Sequence, residues 1–416
     1  MPNADGENTT DLFNQIQPQE SIAAFGDLDF TIVNNCVQRE IFLPYREEVA
    51  NPNHPGRKFY TMNYSQSIAT FNQQIIAKLE HELSSTIAEL PDDSFDQALG
   101  RQQFQDIFAI AKADKTGKRA ILGDADGSIE RVALFALATN QISLNNQGAT
   151  ALVGLVKLVT SPQKDMENWQ TKDQLIETLL SNVVLLENTP ENPISMGDIE
   201  FDRNTVNPLR MSEFCNALKK NNPKGVFIRG NHDSERWIEY YNEAIRDKDW
   251  EDIEENIPFF YGGFDLEVIQ SSAYRNLMDV LGRVDMYKIF SNCHCDEDQK
   301  RLYIHNGVAF STTKRGAVKI ATGFGDFDKQ DISQLVKGVN SKTAQQYKIN
   351  VFNNFKPSSD LNGGATGMKD FAKQNNCTII HGHENSNDNI SDRLDAKATD
   401  GVLGVNRRAV LIADKS

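Results

Sequence analysis

Five short apolar runs in this chain each end in a glycine next to an aspartate, asparagine or histidine. They occupy residues 119–124, 193–198, 226–233, 302–307 and 378–383. The third run reads Val-Phe-Ile-Arg-Gly-Asn-His-Asp, in which β-branched and aromatic residues predict a buried strand and the glycine permits a tight turn. Polar residues after such strands are delivered to the carboxyl edge of a sheet, where ligands of open α/β proteins bind.

The residue types at these five ends predict a metal site. The side chains are Asp124, Asp198, Asn231, His305 and His383. Carboxylate, carboxamide and imidazole groups are ligands of hard to borderline divalent cations. Two cations that share a bridging carboxylate form the usual centre of phosphate-ester hydrolysis. One apolar run before a polar residue is common, whereas five that end in the same residue types are difficult to explain by packing alone.

Each of these residues also has a purely structural interpretation. Asp124 and Asp198 can be N-caps of the helices that follow them, and His305 can be a hydrogen-bonded core histidine. The sequence Cys-His-Cys at residues 293–295 resembles a fragment of a zinc site, but no second cysteine pair follows at a suitable spacing. We interpret this segment as the tip of a hairpin rather than a ligand cluster.

Size, charge and cysteine content limit the compartment and the partners. A chain of 416 residues allows two domains or one large domain with insertions. Its formal net charge of −15 argues against nucleic acid as a partner, because phosphate contacts need clustered Lys and Arg. Five scattered cysteines indicate reduced thiols. We find no signal peptide and no apolar run of membrane-spanning length, so we expect a cytoplasmic protein without membrane insertion; secretion by a non-classical route is the alternative.

The hydrophobic periodicity divides the chain into three parts. Residues 1–20 are polar and predicted to be a disordered lead, and residues 21–115 are predicted to be mainly helical. The α/β part spans residues 116–416. Its first two aspartate motifs are 198 − 124 = 74 residues apart, more than one βαβ crossover needs. The excess predicts a helical insertion at about 141–190, with its second helix at 172–187, either beside the active site or as surface decoration.

The order of these motifs resembles that of the calcineurin-like metallophosphoesterase superfamily. The second motif, the stretch after Asp233 and residues 404–414 are similar to the phosphoprotein phosphatase branch, the PPP-type serine/threonine phosphatases. The resemblance covers residues 118–416 and suggests a divergent member, similar to some bacterial effector phosphatases. It implies a metallophosphoesterase β-sandwich flanked by helices. The matching segments are Gly123–Gly127, Gly197–Arg203, Gly230–Asp233, His305–Gly307 and His381–Glu384.

The resemblance implies a two-metal phosphatase. Its cofactors would be two divalent metal ions, with Mn²⁺ expected first and Mg²⁺, iron or Zn²⁺ as alternatives. A metal-activated hydroxide would then hydrolyse phosphomonoesters on Ser, Thr or Tyr of a phosphorylated protein substrate. Asp198 would bridge the ions, and the remaining ligands would be Asp124 and Asp126 for the first and Asn231, His305 and His383 for the second.

The same resemblance implies roles for the residues around the phosphate. His232 would be the general acid, and Asp202 would orient it and favour its charged form. Arg203 and Arg236 would hold the phosphate, because a guanidinium fork matches two phosphate oxygens. Asn231 is counted with these phosphate contacts as well as with the metal ligands.

Three departures from the family pattern affect these roles. Asp126 stands where the family usually has histidine, which favours Mn²⁺ or Mg²⁺ if the carboxylate reaches the metal. Asp202 lies four rather than three positions after Asp198, so Glu200 is an alternative for orienting the general acid. The further phosphate-binding arginine of the branch is not recognisable, and Arg315 is the candidate.

Two other functions fit the same motifs. The first is a nucleotide or dinucleotide polyphosphate hydrolase of the same superfamily. Such enzymes often complete the last motif as Gly-His-x-His, whereas Asn385 stands at that place here. The second is a non-catalytic phosphoprotein-binding module that has lost one metal. The sequence does not indicate an oligomeric state.

Overall fold

The computed structural model describes most of the α/β part and the helices before it. The described residues are 25–35, 37–42, 57–88, 95–159, 166–200, 202, 204–233, 242–243, 246–247, 268, 270–281, 289–312, 318–328, 330–342, 364–383, 401–405 and 408–413. The predicted disordered lead lies outside them.

The described residues contain ten helices and sixteen strands, which confirms the mixed α/β class. The helices are α1 Thr31–Asn34, α2 Gln66–Ala88, α3 Phe95–Lys112, α4 Ile129–Ala138, α5 Asn146–Val159, α6 Met166–Ser181, α7 Pro208–Asn221, α8 Ser272–Leu281, α9 Ile332–Asn340 and α10 Gly364–Asn375. The strands are β1 Arg39–Phe42, β2 Lys58–Asn63, β3 Lys118–Leu122, β4 Ile142–Leu144, β5 Val183–Glu187, β6 Ile194–Ser195, β7 Val226–Ile228, β8 Phe290–Ser291, β9 His294–Asp296, β10 Arg301–Tyr303, β11 Val308–Thr312, β12 Val318–Thr322, β13 Gly325–Asp328, β14 Thr378–His381, β15 Val402–Gly404 and β16 Ala409–Ala413.

Two sheets with parallel inner strands form the centre of the α/β part. The first has the order β16-β3-β6-β7-β8, in which β16 is antiparallel to β3 and the other pairs are parallel. The second has the order β15-β14-β10-β9, in which only β9 runs antiparallel. Buried side chains of both sheets share one apolar cluster: Ile121, Ile194, Met196, Val226, Ile228, Tyr303, Ile380, Leu403, Val405, Val410 and Ile412.

The N-terminal region and the insertion are joined by a third sheet that the sequence did not predict. Its order is β1-β2-β5-β4, and β2 pairs parallel with β5. The predicted helix at residues 172–187 is therefore wrong at its end, because α6 stops at Ser181 and Val183–Glu187 is a strand. A short apolar run fits a buried strand or a helix equally well. The pairing with β2, far away in sequence, decides between them.

The Cys-His-Cys segment is not the hairpin tip that we predicted. The hairpin is formed by β9 and β10, and the turn between them spans residues 297–300. Cys293 is buried at the point where the chain passes from β8 in one central sheet to β9 in the other. No group of metal-ligating side chains among the described residues includes this segment.

Helix α3 holds the last strand beside β3. Arg408 donates from Nε to Asp106 Oδ2 at 2.7 Å and from Nη2 to Oδ1 at 3.2 Å. The carbonyl of Arg408 accepts the N–H of Gly123 at 2.8 Å. This ion pair therefore connects α3 to the backbone immediately before Asp124.

In the part of the chain described here, no helix has both the length and the apolar character needed to cross a bilayer.

Candidate metal centre

The predicted strand ends of the two central sheets come together at one edge. Asp124 follows β3, Asp198 follows β6 and Asn231 follows β7, all in the first sheet. His305 follows β10 and His383 follows β14, both in the second. Because each of these five strands is parallel to at least one neighbour in its sheet, their carboxyl ends deliver these polar side chains to a common place.

His305 lies at the centre of this group and is 1% exposed. Its Nδ1 is 2.6 Å from the carbonyl oxygen of Met196 and 3.5 Å from Asp124 Oδ1. Its Nε2 is 2.9 Å from Asn231 Oδ1 and 3.4 Å from Asp198 Oδ2. One imidazole of the second sheet therefore contacts groups on three strand ends of the first.

Asp198 belongs to two groups of potential metal ligands. In the first, ligand atoms of Asp198, His305 and His383 all lie within 4.8 Å of one another, and in the second the same holds for Asp198, Asp202 and His232. The Asp198 carboxylate therefore lies within reach of both pairs of side chains. The Oδ1 of Asp198 also accepts the backbone N–H of His232 at 3.0 Å, which fixes the carboxylate relative to the β7 loop.

The helix-cap interpretation of the two aspartates is wrong. Ser128, not Asp124, is the N-cap of α4, and its side chain accepts the N–H of Arg131. Asn207 rather than Asp198 caps α7. The carboxylate of Asp124 instead accepts the N–H of His383 at 3.0 Å through Oδ2.

The buried charges in the centre shift one another's protonation. Burial lowers the pKa of His305, but the Asp198 and Asp124 carboxylates outweigh it and raise that pKa to about 10. Burial raises the pKa of Asp124 to about 7, against the opposing effect of His305. Burial also disfavours the charged form of Asp198, yet His305 and His232 hold its pKa well below the usual range. Positive charge on His305 thus stabilises the metal-free site.

The backbone of the centre adopts conformations that ordinary side chains rarely take. The φ angles of Asp126, Asp198 and His383 are 52°, 51° and 59°. A Cβ on Gly230 would lie 2.1 Å from Asp198 Oδ1, and one on Gly382 would lie 2.3 Å from Asp124 Oδ1. Strained residues cluster at functional sites, and here the two glycines let the backbone approach both carboxylates closely.

Asp233 ties the β6 and β7 loops together. Its Oδ1 accepts the N–H groups of Ile199 and Glu200, each at 2.9 Å, and its Oδ2 accepts the N–H of Gly230 at 2.9 Å. These bonds fix the loops that present Asp198 and Asn231. Burial, helped by the neighbouring Asp198 carboxylate, raises the pKa of Asp233.

The structure brings Asp202, rather than the alternative Glu200, to the predicted general acid. Asp202 and His232 share the second ligand group and are both buried. Glu200 is fully buried, and burial together with the charge of Asp233 raises its pKa well above the usual range. The catalytic roles of Asp202 and His232 stay predictions.

Asp126 is engaged by an arginine. Its Oδ2 is 3.0 Å from Arg131 Nη1, and both side chains are buried. It is absent from both ligand groups found among the described residues. The predicted role of Asp126 as a ligand therefore depends on whether this ion pair opens.

The predicted phosphate-binding arginines lie outside the described part of the chain; they are Arg203, Arg236 and Arg315.

Sequence reasoning missed one residue that supports the centre from the N-terminal region. Gln103 on α3 is fully buried and donates from Nε2 to the carbonyl oxygen of Asp124 at 3.1 Å. Its Oε1 accepts from Arg131 Nη1 at 3.4 Å. The only signal in the sequence is a polar residue beside Phe104 on the apolar face of a helix, which does not indicate what it contacts.

The donor set suits hard to borderline divalent ions. Oxygen atoms of Asp124, Asp198 and Asn231, which suit Mn²⁺ and Mg²⁺, combine with the imidazoles of His305 and His383, which suit iron and Zn²⁺. Asp124 Oδ1 is buried and makes no hydrogen bond to the described residues, so it retains lone pairs for a cation.

Comparison of the chain with protein-family models, with characterised proteins and with solved structures gave no match.

We predict that Gln103→Leu weakens divalent metal binding by about tenfold. The substitution keeps the volume of the side chain but removes the hydrogen bonds that hold the Asp124 loop, and losses of supporting contacts typically have effects of this size. Mn²⁺ binding isotherms measure the change. Gln105→Leu is the matched control, because Gln105 is an exposed residue of the same helix. Identical isotherms for both variants and the parent would contradict the role of Gln103.

We also predict that metal binding releases a proton. Metal ligation requires a neutral imidazole, whereas His305, with a pKa of about 10, carries its proton at neutral pH. Between the pKa of Asp124, about 7, and that of His305, the metal association constant should rise about tenfold per pH unit. Calorimetry in buffers of different ionisation enthalpy measures the proton. A metal affinity that does not change with pH in this window would show that binding does not displace the proton of His305.

Proposed function

We propose that this chain is a metal-dependent phosphoprotein phosphatase that hydrolyses phosphomonoesters on Ser, Thr or Tyr. The observation that supports the proposal most is the position of Asp198. Its carboxylate is common to the ligand group with His305 and His383 and to the ligand group with Asp202 and His232. Asp198 thus lies between the imidazoles that we assign to the metal and the histidine that we assign as proton donor. This arrangement is suited to the cleavage of a phosphate ester.

The architecture supports the same proposal. Two sheets share an inner apolar cluster, and every candidate ligand follows a strand that is parallel to a neighbour in one of them. We propose that this arrangement is a metallophosphoesterase β-sandwich. The motif order in the sequence and the strand ends that meet in the structure both support this assignment.

The ligands we assign are Asp124 and Asp198 for one divalent ion, and Asp198, Asn231, His305 and His383 for the other. When bound, two such cations neutralise phosphate charge and lower the pKa of water, so that a nucleophile is available near neutral pH. The Met196 carbonyl accepts from His305 Nδ1, so it orients the ring with Nε2 toward Asn231 and Asp198.

The other residues of the centre serve the leaving group. We assign His232 as the general acid that gives a proton to the leaving oxygen, a role that imidazole groups often fill. Its backbone N–H donates to Asp198 Oδ1, which places the backbone of His232 beside that carboxylate. Asp202 lies close enough to orient that ring. We assign Arg203 and Arg236 to the phosphate oxygens on sequence alone.

One observation favours a second function, a non-catalytic phosphoprotein-binding module. The ion pair of Asp126 with Arg131 leaves the first metal position with fewer free carboxylates than the family pattern supplies. A weakly held first metal would leave the phosphate-binding groups in place while slowing hydrolysis. Metal stoichiometry separates the alternatives, since catalysis by this mechanism needs two ions per chain and the binding module needs fewer.

We predict that the chain hydrolyses p-nitrophenyl phosphate with added Mn²⁺ and that Asp198→Asn abolishes this activity. His232→Ala should reduce turnover by roughly 10² to 10⁴-fold, the usual contribution of a general acid. The reduction should be larger for a phosphoserine peptide, because an alkoxide needs the proton more than p-nitrophenolate does. The matched controls are Asp328→Asn and His81→Ala, which change exposed residues of the same types.

Two results would contradict the proposal. The folded parent protein could bind Mn²⁺ without hydrolysing p-nitrophenyl phosphate, or the Asp198→Asn variant could retain the activity of the parent. A panel of nucleotides and dinucleotide polyphosphates run beside the phosphopeptides tests the alternative enzyme class. Preference for the nucleotides would replace the proposed substrate while leaving the proposed chemistry in place.

A further inference from the structure

A second polar cluster lies at the opposite end of the two central sheets. Arg119 is near the start of β3 and Arg301 begins β10, and each lies two residues before a member of the shared apolar cluster, so both side chains are on the inner faces. Opposite them on β9, Asp296 pairs with Arg301 and His294 pairs with Tyr303. We call Arg119, His294, Asp296, Arg301 and Tyr303 the amino-edge cluster.

Two hydrogen-bond donors in this cluster have no acceptor among the described residues. Tyr303 is fully buried, and its hydroxyl proton has no acceptor among the described residues, because the side chain that lies against the hydroxyl is the donor Arg301. The Nη1 of Arg119 is likewise buried without a partner, while its Nη2 is 3.4 Å from Asp296 Oδ2. The Nη1 of Arg301 donates to Gln299 Oε1, so Arg301 contributes further donors to the cluster but no acceptor. Buried donors without acceptors are rare because leaving them unbonded is costly, so a missing acceptor is indicated.

The cluster is also electrostatically positive. The cluster contains two guanidinium groups and one carboxylate, those of Arg119, Arg301 and Asp296. Lys219 is close enough for its positive charge to act on His294. Burial and the positive charges of Arg119 and Lys219 lower the pKa of His294, against the opposite effect of Asp296. This concentration of cations contrasts with the formal net charge of −15 for the whole chain. An acceptor that enters here is therefore favoured if it is an anion.

We propose that the amino-edge cluster binds a tetrahedral oxyanion, the phosphate group, between the two sheets. Two guanidinium groups supply parallel N–H donors that match phosphate oxygens, and the Tyr303 hydroxyl donates to a third oxygen. The phosphate comes either from free inorganic phosphate or from a phosphorylated peptide. The site is separate from the metal centre, since it lies at the beginnings of β3 and β10 rather than at their ends. It does not depend on the proposed phosphatase activity.

The test is calorimetric titration of the full chain with inorganic phosphate. The protein carries Asp198→Asn and is kept in EDTA, so that the metal centre does not contribute. We expect one phosphate per chain at constant ionic strength, and no comparable heat with chloride. A phosphoserine peptide titrated in the same way distinguishes the two sources, because a site that is too enclosed for a peptide accepts free phosphate only.

Two variants make the assignment specific. Arg119→Gln should weaken phosphate binding by at least about tenfold, the usual effect of losing a charge-assisted hydrogen bond. Tyr303→Phe removes only the hydroxyl from a buried ring and should weaken binding by about three- to tenfold. Lys78→Gln, on α2, is the control for loss of one positive charge.

The proposal is overturned if phosphate does not bind, or if it binds equally to the parent, Arg119→Gln and Tyr303→Phe. Water alone would then satisfy the two donors. If Arg119→Gln fails to fold, the conservative Tyr303→Phe still decides the question.

Discussion

The structure of this site depends on one electrostatic problem, the burial of several carboxylates within a few ångströms of each other. Asp124 and Asp198 are both nearly inaccessible to water, and Asp198 remains charged because His305 and His232 lie beside it. Burying like charges together without a cation is strongly unfavourable. The imidazolium of His305 meets that requirement in the metal-free chain, and a divalent ion would meet it better.

This requirement explains why the site is assembled from both sheets. The first sheet supplies carboxylates and a carboxamide, and the second supplies both imidazoles. The strand ends are therefore held by attraction between the sheets as well as by the apolar cluster that the sheets share. Gly230 and Gly382 permit the close approach, because any side chain there would collide with a carboxylate. The loops are fixed in turn by Asp233 and, from the N-terminal helices, by Gln103.

The meeting of the candidate ligands at one edge was predictable from sequence because the signal for each strand end is local. An apolar run, a glycine and one polar residue define a strand end, and parallel strands bring such ends together. The features that were missed all depend on distant partners. The identity of Val183–Glu187 as a strand depends on β2, and the role of Gln103 depends on the backbone of Asp124. The sheet change at Cys293 is of the same kind, since nothing in Cys-His-Cys indicates that its two sides belong to different sheets.

A crystal structure of the chain grown with Mn²⁺, with anomalous diffraction data collected at the manganese edge, tests the central claim most directly. We predict an anomalous peak within bonding distance of Asp198, Asn231, His305 and His383, with His305 Nδ1 still bonded to the Met196 carbonyl. A second, weaker peak beside Asp124 would identify the other ion. If no peak lies near Asp198 in a crystal that contains Mn²⁺, and His305 keeps its contacts with Asn231 and Met196, the cluster is a structural ion-pair network and the proposed metal centre is wrong.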